Sequence, residues 1–332
     1  MEIMDHAASV AANTKGLMLR VVRKVALAQD IAGFELQAPD ASTLPHFSPG
    51  AHLEVEVRAG LKRQYSLWAP PDGKTYRIGV LRAPDSRGGS AAMHDQVQVG
   101  DTLWCSTPKN HFELEENAAP ILLLAAGIGI TPILCMADTL HQRNVPFELH
   151  YAARSRERMA FAQHLQDAGY AQHTRLYVEG EAQARADLAQ VVAAQPPGTH
   201  LYVCGPKGFI DVARQAADQA GWDAQRVHFE LFGASVDPVA LNAGDAFCVE
   251  LRRSGRVIPI QAGVSIAESL LAAGVEVETS CEQGICGTCI TRVLQGEPDH
   301  RDAYLTADEK AANDQMLICC SRAKSQRLVL DL

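Results

Sequence analysis

Five cysteines crowd the C-terminal part of this chain, at Cys281, Cys286, Cys289, Cys319 and Cys320. The first three lie in Ser280-Cys281-Glu282-Gln283-Gly284-Ile285-Cys286-Gly287-Thr288-Cys289, and a fourth thiol follows 30 residues after Cys289. The spacing C-x4-C-x2-C with a distant fourth cysteine is that of plant-type [2Fe–2S] ligands. Three thiolates must reach one cluster from a single loop, and Gly284 and Gly287 let the backbone curl around it. A structural zinc site is the competing reading, but such sites usually present two C-x2-C-like pairs. Spacing alone does not choose between Cys319 and Cys320; one is a ligand and the other a small buried filler.

A second constellation suits an anion. Residues 121–132 read ILLLAAGIGITP, an apolar run entering a glycine turn. Gly127 and Gly129 would let backbone amides approach a pyrophosphate. Thr131 reads as the N-cap and Pro132 as the first helical residue, so free amides face the ligand. The run is not G-x-G-x-x-G, because Pro132 holds the last position, and a lone glycine pair is weak evidence. Downstream, Cys204-Gly205-Pro206 ends another apolar strand. Cys204 has two readings, a core filler or a group beside a nicotinamide.

A third constellation lies near the front. In Arg63-Gln64-Tyr65-Ser66 strand alternation puts Arg63 and Tyr65 on one face and Ser66 on the other. An arginine suits a phosphate, and a tyrosine ring stacks on a flat heterocycle. Ser86-Arg87-Gly88-Gly89-Ser90 opens a helical AAMHDQV, a second amide nest. Together they would serve a flavin monophosphate, and no adenine site for a longer flavin is evident.

The elements that must hold these groups fall into blocks. With 332 residues, two or three domains are expected. Hydrophobic residues at 47% and charged residues at 21% fit folded protein rather than disorder. The net charge of −9 argues against nucleic acid and against an anionic membrane. No run of 18 apolar residues suggests a spanning helix. Residues 1–15 read as a tail without a signal peptide's basic region, so a cytoplasmic protein is expected. In that reducing setting its nine cysteines are ligands, redox groups or fillers rather than disulfides.

Short alternating strands with Gly/Pro turns over 16–115 predict a β-barrel. Strands at 147–153, 174–180, 199–204 and 225–232 alternate with helical runs. One such run covers ERMAFAQHLQDAG. This predicts an α/β doubly wound parallel sheet over 116–232. Residues 233–244 (GASVDPVALNAG) read as a linker. A hairpin around Ser254-Gly255, a helix capped by Ser265 and a closing strand at 327–330 form a module over 245–332. It resembles the α+β β-grasp fold of plant-type ferredoxins.

Three motifs in this order resemble the phthalate dioxygenase reductase family, the flavin iron–sulfur reductases of Rieske-type oxygenases. The resemblance rests on RQYS (63–66), RGGS (87–90), GIGITP (127–132), YAARS (151–155), CGP (204–206), CEQGICGTC (281–289) and CCSRA (319–323). It implies that Arg63 and Gly88-Gly89-Ser90 hold an FMN phosphate, with Tyr65 on the ring and Ser66 near its N5 edge. Phe232 resembles the family's aromatic on the opposite ring face. Gly127, Gly129, Thr131 and Pro132 would contact the dinucleotide, with Cys204 and Gly205 at the nicotinamide. It selects Cys281, Cys286, Cys289 and Cys319 as cluster ligands. Arg154, Arg156 and Arg158 follow the strand 147–153, where an arginine would suit the 2′-phosphate of NADPH; the resemblance favours NADH.

The implied activity is transfer of electrons from NADH through FMN and [2Fe–2S] to a terminal oxygenase partner. A hydride brings two electrons and the cluster takes one, so the flavin between them must split the pair. No HExxH, G-x-S-x-G or Walker motif competes with this reading. Residues 245–332 hold 13 acids to 9 bases, which would steer a basic partner. Two alternatives remain: a reductase for a P450 or other monooxygenase, and a zinc-stabilised binding module without enzymatic activity.

Overall fold

The structure, a computed structural model, describes residues 16–58, 61–84, 88–115, 120–181, 185–232, 242–279 and 282–332. The N-terminal tail, Ser86-Arg87, most of the expected linker and Cys281 lie outside them. The chain forms two compact units, Met1–Phe229 and Glu230–Leu332.

Six antiparallel strands open the first unit: β1 (Gly16–Ala28), β2 (Ile31–Gln37), β3 (His52–Arg58), β4 (Leu61–Ser66), β5 (Tyr76–Leu81) and β6 (Thr102–Ser106). Their order is β4-β3-β6-β1-β2-β5. The end strands meet where Leu67 bridges Ile78 and the Trp68 amide donates to the Arg77 carbonyl at 3.0 Å, so the sheet closes into a barrel. Alternation produces the core: Leu53, Val55 and Val57 of β3 point inward with Leu19, Val21, Phe34 and Leu36. A short helix, α1 (Gly89–Asp95), sends Met93 into the same core.

The same unit carries a five-stranded sheet. Its elements run β7 (Ile121–Ala126), α2 (Ile130–Gln142), β8 (Phe147–Ala153), α3 (Ala162–Asp167), β9 (Thr174–Val178), α4 (Leu188–Ala193), β10 (His200–Gly205), α5 (Lys207–Gln219) and β11 (Val227–Leu231). The order is β11-β10-β7-β8-β9, and β10, β7, β8 and β9 pair in parallel. All six residues of β7 are buried, which explains its unbroken apolar run. The order in which strands are added reverses between β7 and β10.

Two expectations are corrected here. Thr131 does not cap α2. A 3₁₀ turn over Gly127–Gly129 runs straight into the helix, and the Thr131 hydroxyl donates back to the Ile128 carbonyl at 2.9 Å. The run ERMAFAQHLQDAG is not one helix. It forms a 3₁₀ turn at Arg156–Arg158, then Phe161 at φ 61, then the six residues of α3. Phe161 packs its ring 4.9 Å from Trp68 of the barrel, so a tertiary contact overrides the helical period.

The second unit is a mixed sheet in the order β13-β12-β18-β14-β16. It is built from β12 (Phe247–Leu251), β13 (Val257–Ile260), β14 (Ile290–Gln295), β16 (Gln315–Leu317) and β18 (Arg327–Leu330). A side ribbon pairs β15 (Pro298–Asp299) with β17 (Arg322–Ala323). Ser265 caps α6 (Ile266–Ala272) by accepting from the Glu268 amide at 3.1 Å. The sequence reading foresaw one helix; a second, α7 (Ala307–Ala312), starts with a Thr306–Glu309 capping box.

Among the described residues Arg322 is the largest fully buried side chain, 1% exposed. It donates to the carbonyls of Val264 at 2.7 Å, Asp245 at 2.9 Å and Gln261 at 3.2 Å, and lies over the Phe247 ring. Each charge-assisted bond contributes about 1.5–3 kcal/mol. Arg322→Ala should therefore destabilise the second unit by about 3 kcal/mol or more, while Arg322→Lys, whose donors all sit on one nitrogen, should recover only part of it. Equal melting of wild type and Arg322→Ala in calorimetry would contradict this account.

Candidate functional site

The reversal between β7 and β10 makes a crevice at the carboxyl ends of the strands, where ligands of such sheets bind. Gly127 has φ 56 and open space where a side chain would stand. A Cβ on Gly129 would collide with the Cys204 carbonyl and lie 2.7 Å from the Gly205 amide nitrogen. Glycine at 129 is thus required by the close approach of the two loops. Cys204 itself is 0% exposed. Gly205 is buried as well, and Pro206 is the first exposed residue at this strand end.

The arginines after β8 separate by partner. Arg156 makes a two-pronged pair with Glu181, both bonds 2.6 Å. Arg158 pairs with Asp30 at 2.7 Å, and the Glu157 carbonyl accepts from the Gln29 amide at 2.6 Å. Both bonds tie this loop to the barrel. Arg154 directly follows β8 and is exposed.

On the barrel, Arg63 and the turn before α1 meet. A Cβ on Gly89 would lie 2.7 Å from Arg63 Cγ and Nε. A Cβ on Gly88, which has φ 92, would lie 2.7 Å from Arg58 Nη2. Two guanidinium groups therefore border one glycine turn. Arg58 was missed in the sequence; its signal was only a cation closing the strand HLEVEVR, a place that usually means solvation. Ser90 turns its hydroxyl toward the loop, accepting from the Ala83 amide at 3.1 Å.

Tyr65 packs its ring against the barrel core, and its buried hydroxyl lacks a hydrogen-bond partner. Burial raises its pKa above the usual tyrosine value, against the pull of Arg63. Trp68 Nε1 is likewise buried and unpartnered. Ser66 is 4% exposed and opposes His52 across the β3–β4 ladder. His52 is the second residue the sequence reading passed over. Two cations over a glycine turn and a ring whose hydroxyl seeks a partner fit a phosphorylated heterocycle. Phe232 directly follows β11 and is half-buried.

In the second unit the cysteine loop depends on left-handed glycines. Gly284 has φ 72, and a Cβ there would meet Cys320 Sγ at 2.5 Å and Asp302 Cα at 3.0 Å. Gly287 has φ 76 and lies against the Tyr304 ring. Cys289 and Cys319 are 4% and 5% exposed, and their thiols touch. That contact, and then burial, raises the Cys289 pKa. The Gly284 amide faces the Cys319 sulfur. Cys286 is half-buried, its sulfur 3.1 Å from Thr288 Oγ1. Cys320 is 0% exposed, packs beneath Gly284 and donates to the Leu317 carbonyl at 3.7 Å. Among the described residues no three His, Cys, Asp or Glu side chains converge on a single-ion site. Soft thiols in contact, with an amide aimed at one sulfur, fit a thiolate-held iron–sulfur cluster.

Residues 249–324 match the family of 2Fe-2S iron-sulfur cluster binding domains. Residues 106–227 match the N-terminal domain of dimethylamine monooxygenase subunit DmmA-like proteins. Vanillate O-demethylase oxidoreductase of Pseudomonas sp. (strain HR199 / DSM 7063) is 49% identical over 308 residues, covering 92% of this chain and 96% of that protein. The solved phthalate dioxygenase reductase, described as a modular structure for electron transfer from pyridine nucleotides to [2Fe–2S], superimposes with a TM-score of 0.71. It is 39% identical over 96% of this chain and 98% of that one. An intact type IV self-sufficient cytochrome P450 monooxygenase gives a TM-score of 0.77 and 36% identity. The match covers 96% of this chain but only 41% of that larger one.

The cysteine geometry separates neighbours. Cys319→Ser should lose the cluster, because a hydroxyl is a poor substitute for thiolate. Cys320→Ser should keep it, since that sulfur only fills space under Gly284. Visible absorption and iron content of the two variants decide. Iron retained in Cys319→Ser but lost in Cys320→Ser would reverse the assignment.

Proposed function

The chain belongs to the family of flavin iron–sulfur reductases that includes vanillate O-demethylase oxidoreductase and phthalate dioxygenase reductase; on that premise we propose that it passes electrons from NADH through FMN and its [2Fe–2S] cluster to the terminal component of a Rieske-type oxygenase. The observation that carries the proposal is the coexistence of three sites in one chain: a guanidinium-bordered glycine turn on a barrel, a glycine crevice at a sheet reversal, and a four-cysteine loop motif. A hydride donor, a flavin and a one-electron cluster are the parts of an electron-splitting reductase.

Each side chain then has a task. Arg58 and Arg63 neutralise the FMN phosphate above Gly88, Gly89 and Ser90. Tyr65 supports the ring, and Ser66 hydrogen-bonds near its N5 edge. Gly127 and Gly129 admit the NADH diphosphate to the start of α2, near Thr131 and Pro132. Gly205, with Cys204 behind it, walls the nicotinamide end. Arg154 reaches the nucleotide at the end of β8. Cys281, Cys286, Cys289 and Cys319 ligate the cluster. Bound FMN takes up the hydride's electron pair and releases electrons singly.

The partner is a soluble oxygenase component, and the setting is the cytoplasm. Among the described residues no helix is long and apolar enough to cross a membrane. A P450 is the second reading, favoured by the likeness to part of the self-sufficient P450 monooxygenase. Reconstitution separates them: the reductase should support product formation by a Rieske-type oxygenase. Turnover with a P450 and none with any Rieske component would replace the first reading with the second.

Two measurements test the cofactors. Flavin released from the protein should be FMN, and Arg63→Ala should weaken its binding by about 1.5–3 kcal/mol, the worth of a charge-assisted contact. FAD on the chromatogram would refute the phosphate assignment.

The wild type should show its larger kcat/KM with NADH. Arg156 and Arg158 are already paired with carboxylates, so Arg154 is the residue to change. If it meets the diphosphate common to both nucleotides, Arg154→Ala should lower kcat/KM for NADH and NADPH by similar factors. A grip on a 2′-phosphate would cost NADPH alone roughly ten- to a hundredfold. A wild-type preference for NADPH that vanishes in Arg154→Ala would overturn the choice of NADH.

A further inference from the structure

Gly79 stands in the middle of β5, where a glycine weakens a strand and often marks a close approach. It does not adopt left-handed backbone, so conformation alone does not call for it. Its neighbours Ile78 and Val80 belong to the barrel core, so position 79 faces outward. Gly79 is nevertheless buried. What covers it is the turn from β7 into α2. A Cβ at 79 would lie 2.9 Å from Thr131 Cγ2 and 3.6 Å from Ile128 Cδ1. Across the β2–β5 ladder Gly79 opposes Gly33, a second buried glycine on the outer face. Leu27 fills the space over Gly33, where a Cβ would lie 2.9 Å from its Cδ1. The two glycines thus form a shallow seat on the outside of the barrel, with Leu27 in one half and the Thr131 methyl in the other.

Thr131 has little freedom to give way. It is 1% exposed, its hydroxyl donates to the Ile128 carbonyl at 2.9 Å, and its branched side chain is stiff at χ1. Turning the methyl away from Gly79 would break that hydrogen bond. Carbon atoms pack at about 3.5–4.0 Å, so a methyl at 79 would press the barrel and the turn apart. Three other contacts between barrel and sheet engage the loop after β8. They are the Gln29 amide with the Glu157 carbonyl, Arg158 with Asp30, and Trp68 with Phe161. Of these four ties, only the one at Gly79 is made by the glycine turn itself.

We propose that Gly79 is a positioning residue for hydride transfer: by admitting the Thr131 methyl to the barrel wall it sets how closely the nicotinamide approaches the flavin. The inference rests on the reading of the barrel as the flavin's seat and of the Gly127–Thr131 turn as the dinucleotide's. In that step the C4–H bond of NADH breaks and an N5–H bond forms on the flavin. Two electrons and one proton cross together, and NAD⁺ leaves. The reacting atoms must come within about 3–3.5 Å, and a misplacement of about 1 Å costs on the order of a hundredfold. Barrel and turn each carry one of the two rings, so their spacing is set where barrel and turn touch. A displaced turn takes its nucleotide with it, so a methyl at 79 alters the approach of the rings and leaves nucleotide affinity nearly intact.

Gly79→Ala should bind FMN with wild-type affinity and keep a KM for NADH close to that of the wild type. In stopped flow, saturating NADH should reduce its FMN about ten- to a hundredfold more slowly. The long-wavelength absorption of nicotinamide stacked on flavin should weaken in parallel. Thermal melting of the full protein is a second readout, independent of turnover. Thr131→Ser keeps the hydroxyl and lacks the methyl, so the two changes should be coupled. Gly79→Ala should lower the melting temperature less in the Thr131→Ser background than in the wild-type one, and slow flavin reduction less there too. Additive melting shifts, a wild-type rate of flavin reduction in Gly79→Ala, or a raised KM for NADH as its sole change would overturn the proposal. Should Gly79→Ala fail to fold, the double variant must fold, and its failure as well overturns the contact. Wild-type protein that releases no FMN would instead defeat the underlying flavin reading, a separate failure.

Discussion

The loops leaving β7 and β10 approach until no side chain fits between Gly129 and the Cys204–Gly205 backbone. The rest of the first unit follows from that contact. It holds the two strand ends of the sheet reversal at a fixed separation, so the backbone at the start of α2 and the backbone at Gly205 lie side by side. It also forces the direct passage from 3₁₀ turn to helix, because Gly129 has no room to let a cap residue swing out. The Cys204 carbonyl meets the glycine, and the residue is fully buried. A ligand at this place would find backbone, which suits a diphosphate and a flat ring better than it suits acid–base chemistry.

The second unit applies the same device to sulfur. Gly284 and Gly287 adopt left-handed backbone because Cys320, Asp302 and Tyr304 already occupy the space a Cβ would need. The loop is thereby pressed against a packed floor, and Cys289 and Cys319 meet above it. Fixed thiols suit a cluster whose electron transfer is fastest when little reorganises. The floor in turn depends on Arg322, whose three carbonyl contacts join the segments at Asp245, Gln261 and Val264 to the strand β17.

What was legible in the sequence was whatever short-range chemistry dictates. The apolar run of β7 had to be a doubly buried strand, and its glycines had to begin a tight turn into a helix. Cysteine spacing announced the cluster, since thiolate geometry tolerates few alternatives. Helix starts marked by Ser265 were visible because a cap acts on an amide three residues away. What failed depended on partners distant in sequence. Phe161 breaks a good helical period because Trp68, far away in the chain, receives its ring. Arg58 looked like a solvated strand end until Gly88 was found beside it. Thr131 looked like a cap because its residue type fits one, yet the preceding turn had already started the helix.

His52 shows why one kind of site escapes sequence reading altogether. A histidine beginning an alternating strand is ordinary, and nothing local says that both ring nitrogens will be buried without partners. That follows only when β4 supplies Ser66 on one side and the segment after β6 supplies Lys109 and His111 on the other. The alternation of HLEVEVR itself puts a polar residue at 52, on the face of Glu54 and Glu56; only its burial, at 4% exposed, sets it apart from them. A polar ring buried with both nitrogens unpartnered is a local conflict, and such conflicts gather where a protein does chemistry. The barrel tolerates it because the ladder on either side is intact, with Leu53, Val55 and Val57 filling the core from the opposite face. The conflict therefore stays confined to the rim, beside the one hydroxyl that the flavin reading places at the ring edge.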